Sequence, residues 1–142
     1  MIIYAGPSLL VRLLIPEQAA AFDDAGAVQI VSTPQALGEC TADAVTDGLD
    51  RGMTPEGALA RLADLVDEET GLVEIVTQDV DEVAEAAAEI SAATGLGMER
   101  AWHIAAAELC FLDLADDEEP RAFGADDGHQ ARLARARGWQ VL

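Results

Sequence analysis

Lysine is missing from the chain altogether. Eight arginines face 27 Asp and Glu, which leaves a formal charge of −19 on 142 residues. Phosphate contacts supply much of the affinity of a nucleic-acid binder, and such proteins carry a basic footprint. The balance here argues against a general RNA or DNA binder. It suits a solvated acidic surface or a basic protein partner. The one candidate for a positive patch is Arg121, Arg132, Arg135 and Arg137, in the last 22 residues. Cysteine is scarce too. Cys40 and Cys110 sit in apolar, helix-like contexts without metal-ligand spacing, and are expected as buried free thiols. No apolar run approaches a membrane span, and the N-terminus lacks the basic flank of a signal peptide, so the expected compartment is the cytoplasm. Internal repeats and flexible linkers are absent as well.

What the chain does have is 51% hydrophobic residues, enough for one sizeable core in a single domain, 1–142. Met1 to Ala5 reads as a short buried strand. Gly6 and Pro7 break it, and Ser8 to Ile15 places leucines at helical spacing. A short helix follows from Pro16 to Ala25. Strands are expected at 27–31, 122–125 and 139–142, with Gly71 to Thr77 as a short strand or an ordered connection. Thr33-Pro34 and Thr54-Pro55 are helix starts, with Thr as N-cap and Pro in the first turn; the helices run to about Asp50 and Glu69. Asp79 with Glu82 opens another helix, Glu99 to about Leu112 forms the next, and Gly128 to Arg137 the last. Strands alternating with helices predict an α/β fold, a three-layer domain with a central parallel sheet between helices. In such sheets ligands sit at the carboxyl ends of the strands, which points to the Gly6–Ser8 turn.

Four stretches carry a resemblance. The opening Ala5-Gly6-Pro7-Ser8-Leu9-Leu10-Val11-Arg12-Leu13-Leu14, the segment Thr33 to Cys40 containing Glu39, the run Arg100-Ala101-Trp102-His103-Ile104-Ala105-Ala106-Ala107, and Asp127 eleven residues before Gly138 follow one another in the order and spacing of PIN-domain proteins. The chain resembles the VapC-like toxins of toxin–antitoxin pairs. That family implies a metal-dependent ribonuclease, whose carboxylates hold Mg²⁺ or Mn²⁺ through hard oxygen ligands. The metal activates water and neutralises charge on the scissile phosphate. The resemblance also implies an antitoxin partner and a homodimer. At the four acidic positions of the family this chain keeps Glu39 and Asp127, with Asp126 beside the latter. The other two are Gly6, which has no side chain to ligate, and Arg100, which brings the opposite charge.

The expectation is therefore a degenerate PIN-like domain, its nuclease lost, acting through a basic, antitoxin-like partner, with no metal or weak Mg²⁺ or Mn²⁺ binding through Glu39, Asp126 and Asp127. The alternative is an active endoribonuclease with a rebuilt acidic site in which Glu39 and Asp127 are catalytic and RNA is the substrate; Glu99, about 100° around its helix from Arg100, is a poor replacement for the missing acid. A third reading is an unrelated acidic α/β protein. Ser8 is expected to cap the first helix rather than to catalyse. His103 is expected as a packed helical histidine. Arg100 is expected to bridge Glu39 and Asp127 in place of a metal, since a guanidinium can satisfy two carboxylates by forked hydrogen bonds.

Overall fold

The computed structural model describes residues 1–24 and 26–142. The elements follow in the order β1 (Ile2–Ala5), α1 (Pro7–Leu13), α2 (Pro16–Asp23), β2 (Gln29–Ser32), α3 (Pro34–Asp50), α4 (Pro55–Leu65), β3 (Val73–Ile75), α5 (Val80–Thr94), α6 (Met98–Leu114), β4 (Arg121–Gly124), α7 (Gly128–Ala136) and β5 (Gln140–Val141). The five strands form one sheet in the order β3-β2-β1-β4-β5, and every pairing is parallel. This is the three-layer α/β domain that the alternation of elements predicts.

The sheet is buried on both sides because its strands alternate between two cores. Ile2, Tyr4, Val31 and Phe123 pack with Val83, Ala87, Ile104, Phe111 and Trp139 of the α5, α6 and α7 side. Ile3, Ala5, Ile30 and Ala122 pack with Leu9, Leu10, Ala36, Cys40 and Leu62 of the α1, α3 and α4 side. Both cysteines are buried free thiols, pushed up to about 11 at Cys40 and about 12 at Cys110 by burial.

Several boundaries differ from the pattern-based reading. The second strand begins at Gln29 rather than 27 because its partner begins at Ile2, and the register pairs those two residues. The fourth starts one residue early, since Arg121 also pairs with Ile2. The last shrinks to Gln140–Val141. The 71–77 run is a strand only over Val73–Ile75. Helix α4 stops at Leu65 instead of Glu69. There Asp67 accepts from the backbone N–H groups of Glu69 and Thr70 and from the Thr70 hydroxyl, offering the backbone a turn in place of another helical one. Those bonds, first of all from the Thr70 N–H, hold the Asp67 carboxyl below its usual value. The Thr caps stand as expected: Thr33 accepts from Ala36 N–H at 3.2 Å and Thr54 from Gly57 N–H at 3.0 Å. The expected helix end at Ala25 lies outside the described residues.

Helices α3 and α4 cross where Gly48 faces Ala58. A Cβ on Gly48 would lie 2.4 Å from the Ala58 Cβ and 3.3 Å from its Cα. Gly→Ala in a helix interior ordinarily stabilises by about 1 kcal/mol. Here overpacking against a side chain that cannot rotate away costs about 1–3 kcal/mol and wins. Gly48→Ala is therefore expected to lower the urea midpoint, and a raised midpoint would mean that the helices can separate freely.

Candidate functional site

The strand order reverses at β1: the chain fills β2 and β3 on one side, then crosses to β4 and β5 on the other. The crevice at such a switch point, outside the carboxyl ends of the strands, is where open α/β sheets bind ligands. Gly6, Pro7 and Ser8 follow β1 there, Thr33 follows β2, and Ala125 to Asp127 follow β4. The first turns of α6 bring Arg100 and His103. These two are three residues apart on one helix face, so a single element presents both cationic-type donors to the crevice.

Arg100 meets the loop after β4. Its Nη1 donates to Asp126 Oδ2, and its Nε lies 3.2 Å from Asp127 Oδ2. The other oxygen of Asp126 accepts from Ser8 N–H at 3.1 Å. The other oxygen of Asp127 accepts from Gln130 N–H at 2.8 Å, so Asp127 caps α7 while standing at the site. Gln130 is buried and ties the loop together. It donates to the Arg100 carbonyl at 3.1 Å and accepts from Asp126 N–H at 2.7 Å.

Glu39 is held separately. Its Oε2 lies 2.6 Å from His103 Nε2, and its Oε1 accepts from Gln35 Nε2 at 2.8 Å. On the far side of the imidazole, Nδ1 lies 2.8 Å from the Tyr4 hydroxyl, itself 3.2 Å from Thr33 Oγ1. A carboxylate only accepts, so Nε2 carries a proton. Thr33 Oγ1 already accepts from Ala36 N–H, so its hydrogen is free for Tyr4. In the neutral imidazole Nδ1 is then the acceptor, and the bonds run in one direction: Thr33 donates to Tyr4, Tyr4 to His103, His103 to Glu39. Only the last member reaches solvent, since the Glu39 side chain is 32% exposed and that of His103 is 2% exposed.

Gly6, Glu39, Arg100 and Asp127 thus gather around one end of the sheet, but their pairing differs from expectation. Arg100 bridges Asp126 and Asp127, not Glu39 and Asp127. The reason is geometric: one helical turn separates Arg100 from His103, and the histidine reaches Glu39 from inside the core. With the Arg100 side chain 42% exposed, its pairs are worth about 1 kcal/mol rather than the value of a buried bridge. Ser8 does not cap α1, whose N-cap is Gly6; its N–H and hydroxyl bond Asp126 and the Ala125 carbonyl. Glu99 is exposed. Sequence reading missed the roles of Tyr4 and Gln130. For Tyr4 a signal existed: a lone tyrosine in a buried strand must find a partner for its hydroxyl.

The divalent ion implied by the resemblance does not fit these residues. Both oxygens of Glu39, Asp126 and Asp127 are engaged by donors of the protein itself. Among the described residues, no group of three or more His, Cys, Asp or Glu side chains could hold a metal ion. The fourth carboxylate has no room either, because a Cβ on Gly6 would lie 2.9 Å from the Gly124 carbonyl oxygen. Among the described residues, no helix is long and apolar enough to cross a membrane.

No protein family model matches this chain, and no curated protein matches it.

Proposed function

We propose that this is a PIN-like domain of the VapC kind that has lost metal-dependent nuclease chemistry and works in the cytoplasm by binding a basic, antitoxin-like protein. One observation carries the reading. Each carboxylate at the switch point has both oxygens occupied by donors of the protein itself, Asp126 and Asp127 by the shared Arg100 guanidinium with the Ser8 and Gln130 N–H groups, and Glu39 by His103 and Gln35. A nuclease of that family needs those oxygens free for a hard cation. The charge of −19 supplies the second half of the reading. It repels RNA at long range and raises the association rate of a positively charged protein.

The test is calorimetric titration of Mn²⁺ and Mg²⁺ into the protein, alongside incubation with RNA. The expected result is no saturable heat at the site and no EDTA-sensitive cleavage. Micromolar Mn²⁺ binding with cleavage overturns the proposal. Restoring acids with Gly6→Asp and Arg100→Asp together is expected to fall short of a metal site unless the β1 and β4 ends move apart, given the contact at Gly6. Self-association into a homodimer belongs to the same reading, and a single species at the monomer mass across a wide concentration range in sedimentation removes it.

A further inference from the structure

The opposite end of the sheet from the crevice holds a pocket of 350 Å³, built from three places in the chain. Glu108, Phe111 and Leu112 come from the later turns of α6, at i, i+3 and i+4 on one helix face. Arg121 is the first residue of β4. Arg137 and Trp139 flank the glycine that ends α7, Gly138, with φ +80°. There the Trp139 N–H bonds the Ala134 carbonyl at 3.1 Å and the Gly138 N–H bonds that of Arg135 at 2.9 Å. This left-handed cap folds the chain back on the helix end and sets Arg137 and Trp139 side by side. The sheet is parallel throughout, so the start of β4 and the residue before β5 both stand at the amino ends of the strands.

Arg137 is held in place. Its Nε donates to Glu108, its Nη1 donates to the Leu133 carbonyl at 3.3 Å, and its guanidinium carbon lies 5.9 Å from the centre of the Trp139 ring. Those two bonds leave about three of its five N–H groups free. Arg121 makes no ion pair among the described residues. Two arginines against Glu108 give the lining a net positive charge, in a chain of −19. Phe111 and Trp139 meet edge to face at 5.0 Å and supply an apolar wall. Leu112, on the same lining, is 77% exposed. A cation without a partner and an apolar side chain without cover therefore share one pocket. The four late arginines are divided accordingly: Arg121 and Arg137 line it, while Arg132 and Arg135 are exposed on α7 and do not.

We infer that this pocket binds a small organic monocarboxylate, its carboxylate on Arg121 and the free N–H groups of Arg137, its apolar body against Phe111, Leu112 and Trp139. The volume lies at the lower end of the ~300–1,000 Å³ of small-molecule sites. It equals about a dozen water volumes of ~30 Å³, which suits a ligand of about that many non-hydrogen atoms. A guanidinium fork matches the two oxygens of a carboxylate, and three apolar side chains give the rest of the molecule a surface to cover. The acidity of the chain limits the charge of the ligand. One carboxylate is held by short-range contacts, whereas every further negative charge adds repulsion from the whole surface. A polyanion such as RNA is thereby disfavoured. The inference is independent of the partner-binding reading, whose residues stand at the carboxyl ends of the strands.

The two tryptophans make the test direct. Trp139 lines the pocket, while Trp102 packs against His103 at the crevice end. Protein labelled with fluorotryptophan gives one fluorine resonance for each, assigned with Trp102→Phe. The probes are 3-phenylpropionate, its uncharged analogue 3-phenylpropanamide, and acetate, which has the charge without the body. The first is expected to shift the Trp139 resonance saturably, with half-saturation at ~1 mM, and to leave Trp102 unmoved. The amide should bind about tenfold more weakly, the loss expected from one charge-assisted pair, and acetate should not saturate over the same range. Arg121→Gln, at a half-buried strand start, should keep its circular dichroism, weaken the carboxylate about tenfold and leave the amide unchanged. Arg121→Lys, which keeps the charge but not the fork, should fall between the two. A Trp139 resonance that stays fixed throughout, equal binding of acid and amide, or full affinity in folded Arg121→Gln overturns the site. A short RNA that displaces the probe at lower concentration overturns the monocarboxylate as its ligand.

Discussion

Replacing His103 with alanine is expected to destabilise the fold by about 3 kcal/mol, measured by urea denaturation. His103 is buried, and its imidazole packs edge-on against Trp102. Deleting it opens a cavity between α6 and β1, beside the Tyr4 and Trp102 rings. It also removes both bonds of the ring. The Tyr4 hydroxyl can turn its hydrogen to Thr33, 3.2 Å away, so that part of the penalty is softened. Glu39 can rehydrate at the surface. The cavity therefore dominates. His103→Gln, which can still donate to Glu39, should cost less. Tyr4→Phe combined with His103→Ala should cost less than the sum of the two single changes, because the orphaned hydroxyl is gone. A loss under about 1 kcal/mol for His103→Ala would mean that the buried chain of hydrogen bonds contributes little to holding α6 on the sheet.

The second large effect is alkaline. Tyr4 is the only tyrosine. Burial first, then the nearby Cys110, Glu39 and Asp126, push its phenol far above the ordinary value, and the Thr33 hydrogen bond offsets this only in part. The folded-state value is raised, so the associated stability is fully present below the unfolded pKa of ~10 and is lost as pH rises from there toward the folded value. Over that interval the unfolded chain has released a proton that the native chain still holds. Phenolate absorbance should therefore be missing in the folded protein at pH ~11 and emerge only with unfolding, in one step with the loss of helical circular dichroism. The buried thiols, raised for the same reason, begin the decline about one unit lower, and they remain in Tyr4→Phe. That variant should keep the earlier part of the decline and lose the later part. A phenolate signal titrating near pH 10 in protein that is still folded would show that water reaches Tyr4 in the native state.

Much of the architecture was legible in the sequence. Ile2-Ile3-Tyr4, the Thr-Pro pairs at 33 and 54, and the glycines after α2, α3 and α5 mark local conformations that the backbone must take wherever the segment lies. The positions of Gly6, Glu39, Arg100 and Asp127 at one end of the sheet also follow, since each lies just past a strand or in the adjoining helical turns. The ends of the elements were less legible. Strand limits come from register against a partner strand, and the stop of α4 comes from what the Asp67 side chain captures.

The sequence by itself determined the layered α/β fold, the acidity, and the absence of a carboxylate at positions 6 and 100, because periodicity, charge and residue identity need no partner to be read. Only the tertiary structure decided how the remaining charges pair. Arg100 and His103 look equivalent as neighbours on one helix. Yet the fold places the first over the β4–α7 loop and sinks the second between Tyr4 and Glu39. Hydrogen bonds are short-ranged and directional, so a partner separated by 64 residues, as Glu39 is from His103, is chosen by the packing of α3 and α6 on the sheet and not by anything in the local pattern.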